Sequence, residues 1–247
     1  MSGHSHYATI HRQKELKDAQ KGQIFSKLAK EIAIAVKSGG PDPNSNFKLR
    51  VAMDRARAAN MPKDNVERAI SSGSSSAANL EEATYEGFGP SGIAVMVSVA
   101  TDNRNRTSQE VKNLFERAGG RLAGPGSVSF NFENKGLLVI EKLAEPETQM
   151  LTLIDMGVED IEETDDGIEV YVLPDKLTET RKKLQDGGFS ITSTELFMKP
   201  KSLQTISDPS EAKRALNFLE SLEEHEDVQK VYANLDMPDA VVSQVSQ

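Results

Sequence analysis

Apolar residues recur along this chain with two periods, and the change of period divides it. Between residues 22 and 38, Ile24, Phe25, Leu28, Ile32, Ala35 and Val36 fall on one side of a 3.6-residue repeat. That predicts a helix with one buried face, ended by Gly39-Gly40-Pro41. Leu49, Ala52, Met53 and Ala56 repeat the stripe over about 45–59, with Lys48, Arg50, Arg55 and Arg57 on the other side. A third helix starts with Pro62 in its first turn, where a missing N–H costs nothing. It buries Val66, Ala69 and Ile70 and is expected to end at Gly73. Three short amphipathic helices predict a small bundle. Residues 1–20 show little apolar periodicity and many donors, and read as a mobile or partner-ordered arm.

Ser71-Ser72-Gly73-Ser74-Ser75-Ser76 has the composition of a flexible linker. Beyond it strands and helices alternate. Ile93–Ala100 and Ser127–Phe132 read as strands around a helix at Ser108–Ala118. Leu137–Glu141, Ile161–Thr164, Ile168–Leu173 and Phe189–Leu196 read as strands, with helices at about 146–156 and at Pro174–Asp186. An Asp165-Asp166-Gly167 turn joins the middle pair. That order, β-α-β-β-α-β, is the ferredoxin-like unit. A strand near 201–206, a helix from Pro209 to about Glu224 and a strand at Val228–Leu235 follow. Joined to the earlier β-α-β, they complete a second such unit. The predicted fold class is α+β: an N-terminal small helical bundle plus two α/β ferredoxin-like (βαββαβ) domains, one inserted in the other. The expected domains are 1–76 (arm, helices and linker), 83–133 plus 200–240, and the insert 134–199.

Charge changes sign at the same boundary. Residues 1–70 hold thirteen Lys/Arg against seven Asp/Glu, a net of +6, while 71–247 hold sixteen against thirty-one, a net of −15. A basic module on an acidic body points to a polyanion met by one end, and nucleic acid is the commonest polyanion. The absence of cysteine excludes disulfides, thiolate metal sites and cysteine nucleophiles, and suits a reducing compartment. No run approaches the roughly 18 apolar residues of a membrane span, and the N-terminus has no apolar signal region. A cytoplasmic location is expected, with no membrane partner.

The glycine-rich and charged motifs each admit two readings. Gly87-Phe88-Gly89-Pro90-Ser91-Gly92 matches G-x-G-x-x-G, but a dinucleotide site needs a strand before and a helix after; a turn into a strand fits better. Gly119-Gly120-Arg121 and Gly124-Pro125-Gly126 surround a helix-to-strand connection whose amides could meet a phosphate, though a tight connection explains them more simply. Asp102-Asn103-Arg104-Asn105-Arg106-Thr107 offers guanidiniums and amides at a helix N-terminus; the alternative is a capped loop, with Thr107 or Ser108 as cap and Asp102 pairing an arginine. His4 and His6 form H-x-H without a third ligand nearby, so no metal is expected. The acidic run from Glu159 to Asp166 lacks calcium-loop spacing. With His225 the one histidine outside the arm, no catalytic triad assembles. No enzyme activity, cofactor or small-molecule substrate is expected.

The residues also carry a resemblance. Gly3-His4-Ser5, Lys21-Gly22-Gln23-Ile24-Phe25, Asp42-Pro43-Asn44, Ala59-Asn60-Met61-Pro62-Lys63-Asp64-Asn65-Val66-Glu67-Arg68-Ala69-Ile70, Tyr85-Glu86-Gly87, Thr101-Asp102-Asn103-Arg104-Asn105-Arg106-Thr107 and Gly126-Ser127-Val128 are similar to the YebC/PmpR family. Mitochondrial relatives of that family activate translation of cytochrome c oxidase. The resemblance is dense over 1–130 and looser beyond, ending in Val228-Gln229-Lys230-Val231-Tyr232. It implies three domains, one interrupted by another, and a non-enzymatic role in nucleic-acid binding. Bacterial members are described as DNA-binding transcriptional regulators; the family is also linked to the ribosome, including relief of stalling at proline-rich stretches. The arm departs from the pattern: family members usually have Lys-Trp at His6-Tyr7 and Lys-His-Arg at His11-Arg12-Gln13. Candidate nucleic-acid contacts are His4, His6, Arg12, Lys14, Lys17, Lys21, Lys27, Lys30, Arg50 and Arg57, with Arg104 and Arg106 as a second group. The partner is DNA or, alternatively, ribosomal RNA in a translation factor.

Overall fold

The structure, a computed structural model, describes residues 21–75, 80–158, 160–164 and 167–245. The arm lies outside the described residues, as do the hairpin residues Asp165 and Asp166. Three helices open the described chain: α1 (Lys21–Gly39), α2 (Phe47–Ala58) and α3 (Lys63–Ser74). Their apolar stripes meet in one core around Leu28, Ile32, Leu49, Ala52 and Ala69. Buried Asn46 joins two of them. Its Oδ1 accepts from the amide of Leu49, capping α2, while its Nδ2 donates to the carbonyls of Ala35 (2.6 Å) and Gly40 (2.8 Å).

The serine-rich stretch differs from expectation, because α3 continues through Gly73 to Ser74. A Cβ on Gly73 would stand 2.4 Å from the Ala33 carbonyl oxygen and 2.9 Å from Val36 Cβ. Gly73 is therefore the point where α3 crosses close to α1, and helix packing overrides the linker composition.

The first sheet contains β1 (Glu81–Phe88), β2 (Ala94–Thr101), β3 (Arg121–Ala123) and β9 (Val228–Ala233), in the order β3-β1-β2-β9. Every pairing is antiparallel. Helices α4 (Arg104–Arg117) and α7 (Pro209–Glu223) cover one face, with Phe115 against Phe218 edge-on at 4.9 Å. At Phe132 the chain leaves this sheet and builds a second from β4 (Phe132–Ile140), β5 (Asp160–Thr164), β6 (Gly167–Val172) and β7 (Ile191–Pro200). Helices α5 (Pro146–Asp155) and α6 (Leu177–Asp186) complete it. Its antiparallel order β5-β6-β4-β7 is that of a ferredoxin-like sheet. The chain then returns through β8 (Gln204–Thr205), α7, β9, β10 (Leu235–Asp236) and α8 (Asp239–Val245). The fold is α+β, a helical bundle with two α/β units, one inserted in the other.

Within the first α/β unit the element order departs from β-α-β. A strand, β1, precedes the glycine motif, so Gly87 to Gly92 lies at a hairpin between β1 and β2 and no helix follows it. Gly87 is small for packing: a Cβ there would meet Phe115 Cε1 at 2.5 Å. Residues 127–131 form no strand; Ser129–Asn131 is a 3-10 turn, and β3 lies earlier, at 121–123. The Glu86 carboxylate takes the amides of Val128 and Ser129 that a strand would have used.

Candidate nucleic-acid interface

The candidate cations divide into engaged and displayed groups. On α1, Lys27 donates to the backbone carbonyl of Glu223, and Lys30 donates to the carbonyl of Glu226 (3.1 Å) and to Asp227 Oδ1 (2.7 Å). Arg50 donates to the carbonyls of Pro43 and Asn44 at 3.1 and 3.0 Å, bracing the turn before α2. Arg57 is displayed: its side chain is 77% exposed and pairs with Asp54 at 3.0 Å. Lys63, at the start of α3, is 87% exposed, and Lys48 and Arg68 are exposed too. These last three were not among the expected contacts; Lys63 and Arg68 lie within the Asn60–Ile70 motif. Lys21 opens α1. His4, His6, Arg12, Lys14 and Lys17 lie outside the described residues.

Arg104 and Arg106 occupy the first turn of α4, which starts four residues earlier than expected. Asn103, not Thr107 or Ser108, caps it, accepting from the Arg106 amide at 3.1 Å. Arg104 is exposed. Arg106 donates to Asp102 (3.0 Å), as the capped-loop alternative expected, and to Asp227 Oδ2 (2.9 Å). Thr107 is fully buried and also donates to Asp227 Oδ2, at 2.7 Å. The structure thus brings Lys30 and Arg106 together on one carboxylate. Both candidates are paired inside the protein rather than displayed as free cations.

Asp227 is 1% exposed. Burial alone would raise its pKa, but the bonds from Lys30, Thr107 and Arg106 outweigh burial and hold it well below the usual carboxylate range. Glu110, His225 and Asp227 place ligand atoms within 4.8 Å of one another, yet the trio is already satisfied. The Asp227 amide donates to His225 Nδ1 (3.1 Å), so Nε2 carries the proton and faces Glu110 Oε2 at 3.0 Å. With Lys30 and Arg106 already neutralising Asp227, a divalent cation would meet like charge there.

The glycine-rich connection after β3 does hold an anion, and it is the protein's own. Glu86, on β1, accepts from the amide of Gly126 at one oxygen (2.8 Å) and from those of Val128 (2.8 Å) and Ser129 (2.9 Å) at the other. Those amides cannot enter a ladder, which explains the missing strand and displaces the phosphate reading of this loop. Burial opposes ionisation of Glu86, but the amide donors prevail and lower its pKa. Two depressions on the inserted unit, of about 430 and 480 Å³, are lined by Glu145 and Thr148 among others; among the described residues, no lysine, arginine or histidine lines either. They offer no welcome to a phosphate. No helix among the described residues is long and apolar enough to cross a membrane.

A basic three-helix unit joined to two acidic α/β units defines the class, and the comparisons place the chain within it. Residues 5–76 match the TACO1/YebC protein N-terminal domain, and residues 80–235 match the TACO1/YebC second and third domain. The chain belongs to the TACO1/YebC family. A relative from Dictyoglomus turgidum is 45% identical over 250 residues, covering all of both chains. One from Lactiplantibacillus plantarum is 42% identical over 97% of this chain and all of its own. Both carry the name "Probable transcriptional regulatory protein". The crystal structure of a conserved hypothetical protein from Aquifex aeolicus superimposes with a TM-score of 0.83 at 41% identity, covering 90% of this chain and 93% of that one.

Proposed function

We propose that this protein is a cytoplasmic, non-enzymatic nucleic-acid-binding factor that regulates transcription by binding duplex DNA. The observation that carries the reading is the segregation of charge, +6 over residues 1–70 against −15 over the remainder. Such a chain approaches a polyanion with one end and is repelled at the other. The displayed cations Lys48, Arg57, Lys63 and Arg68 form the folded part of the contact. His4, His6, Arg12, Lys14, Lys17 and Lys21 extend it along the arm, and Arg104 adds a contact from α4. The names of the relatives favour regulation over catalysis.

The test is fluorescence anisotropy of the full chain with labelled duplex DNA across a salt series. Log affinity should fall linearly with log salt, with a slope of about −0.9 per phosphate neutralised. Changing Lys14, Lys17 and Lys21 to alanine should flatten the slope by about one unit for each phosphate no longer neutralised, alike for unrelated sequences. Binding indifferent to salt and to these changes would overturn the reading. Salt-indifferent DNA binding together with co-sedimentation with ribosomes would replace transcription by translation.

A further inference from the structure

The end of α7 is electrostatically unfavourable by itself. A helix C-terminus carries a partial negative charge and unpaired carbonyls. Here Glu220, Glu223, Glu224, Glu226 and Asp227 crowd the same eight residues, and the last turn holds no cation. The compensation comes from the helical unit, nearly 200 residues earlier in the chain. Gln23, Lys27 and Lys30, spaced i, i+4 and i+7, lie on one face of α1. Gln23 Nε2 donates to the Glu224 carbonyl at 2.9 Å, Lys27 to the Glu223 carbonyl, and Lys30 to the Glu226 carbonyl and to Asp227. Arg106 holds Asp227 from the other side. One basic helical face is thus seated on a patch of carbonyl oxygens and carboxylates, the chemistry a phosphate backbone would offer it.

We propose that residues 220–227 act as an internal polyanion that clasps α1 and competes with nucleic acid for its basic face. This rests on the nucleic-acid reading above and adds its regulation. An ammonium that donates to Glu223, Glu226 or Asp227 has those hydrogens committed, and the acidic segment stands where phosphates would approach. The closed form binds through the arm and the displayed cations alone. The open form adds Lys27 and Lys30, after the helical unit lifts from the end of α7. Nucleic acid therefore selects the open form, and the closed fraction lowers the apparent affinity.

The chain has no cysteine, so two can be placed at will. Gln23→Cys with Glu224→Cys, neither a proposed DNA contact, allows the full chain to be tethered shut with a short bis-maleimide or labelled with a donor–acceptor pair. Tethering should weaken duplex DNA binding about tenfold relative to the capped, untethered protein, and Asp227→Asn should tighten it by about the same factor. In the labelled protein, energy transfer should fall as duplex DNA saturates the binding. Equal affinity of tethered and untethered forms, with energy transfer unchanged at saturation, would overturn the clasp and leave DNA binding standing. No binding by any form would overturn the nucleic-acid reading and the clasp with it. The tethered protein keeps Asp227, so a folding defect in Asp227→Asn does not decide the outcome.

Discussion

Glu86 and Asp227 are both buried carboxylates held ionised, yet they are held by different chemistry. Glu86 takes three backbone amides from one loop of its own unit. Asp227 takes two cations from different helices, one belonging to the helical unit, and a threonine hydroxyl. Neutral amides fixed by the chain have nowhere else to go, so Glu86 is a permanent part of the fold. Lysine and arginine can exchange a carboxylate for a phosphate, so Asp227 is a contact that a ligand can displace. The first carboxylate shapes a loop; the second joins two parts of the molecule reversibly.

The largest expected effect breaks the first of these. Glu86→Ala strands the amides of Gly126, Val128 and Ser129, of which Val128 is itself buried, and should cost about 3 kcal/mol in denaturant unfolding. The cost should hardly change from about 0.05 to 1 M salt, because no cation participates. Asp227→Ala should come next, at about 2 kcal/mol, discounted because Arg106 is 40% exposed. Its cost should shrink with salt. If the two substitutions share one salt dependence, the distinction between them fails.

Acid should act on both. Each carboxyl has its pKa lowered on folding from an ordinary 4.5 for Glu86 and 3.8 for Asp227. The unfolded chain therefore takes up protons first as pH falls. The stabilisation is complete above about pH 5 and is lost as pH drops through the lowered folded-state values. In an acid titration followed by thermal unfolding, Glu86→Ala and Asp227→Ala should each lose less stability between about pH 5 and 3 than the parent chain. An unchanged slope in either variant would mean that its carboxylate gains nothing from folding.

Much of this architecture was legible in the chain because it rests on periodicity. The stripes of α1 to α3 and the strand spacing of the inserted unit each have a local signature, and they lie close to where they were expected. What was not legible depended on partners distant in sequence. β1 has little apolar alternation, since Glu86 turns inward to serve a loop 40 residues away. Gly73 looks like a terminator until Ala33 is seen beneath it. The candidate site shows the same division. Charge count found the basic unit, but could not tell displayed Arg57 from engaged Lys30. That difference lies in Asp227, about 200 residues downstream. A run of carboxylates at the end of a predicted helix, where the dipole disfavours them, was the available signal that a cation from elsewhere would be needed.

The smallest expected effect sharpens the comparison most. Thr107 gives Asp227 a neutral side-chain donor, at 2.7 Å, and stands 2.8 Å from the Thr101 hydroxyl. Thr107→Val keeps the shape and leaves both cations in place. It should cost about 1.5 kcal/mol, the lower end for a hydrogen bond to a charged group. If charge is what makes the Asp227 contact reversible, the salt dependence of the Asp227→Ala cost should be the same in the Thr107→Val background. The double-mutant cycle, run at low and high salt, measures this directly. A salt dependence that disappears with the hydroxyl would mean that Thr107, a neutral donor, orders the node and that the cations only follow. Asp227 would then resemble Glu86, and the end of α7 would be a fixed joint rather than a clasp.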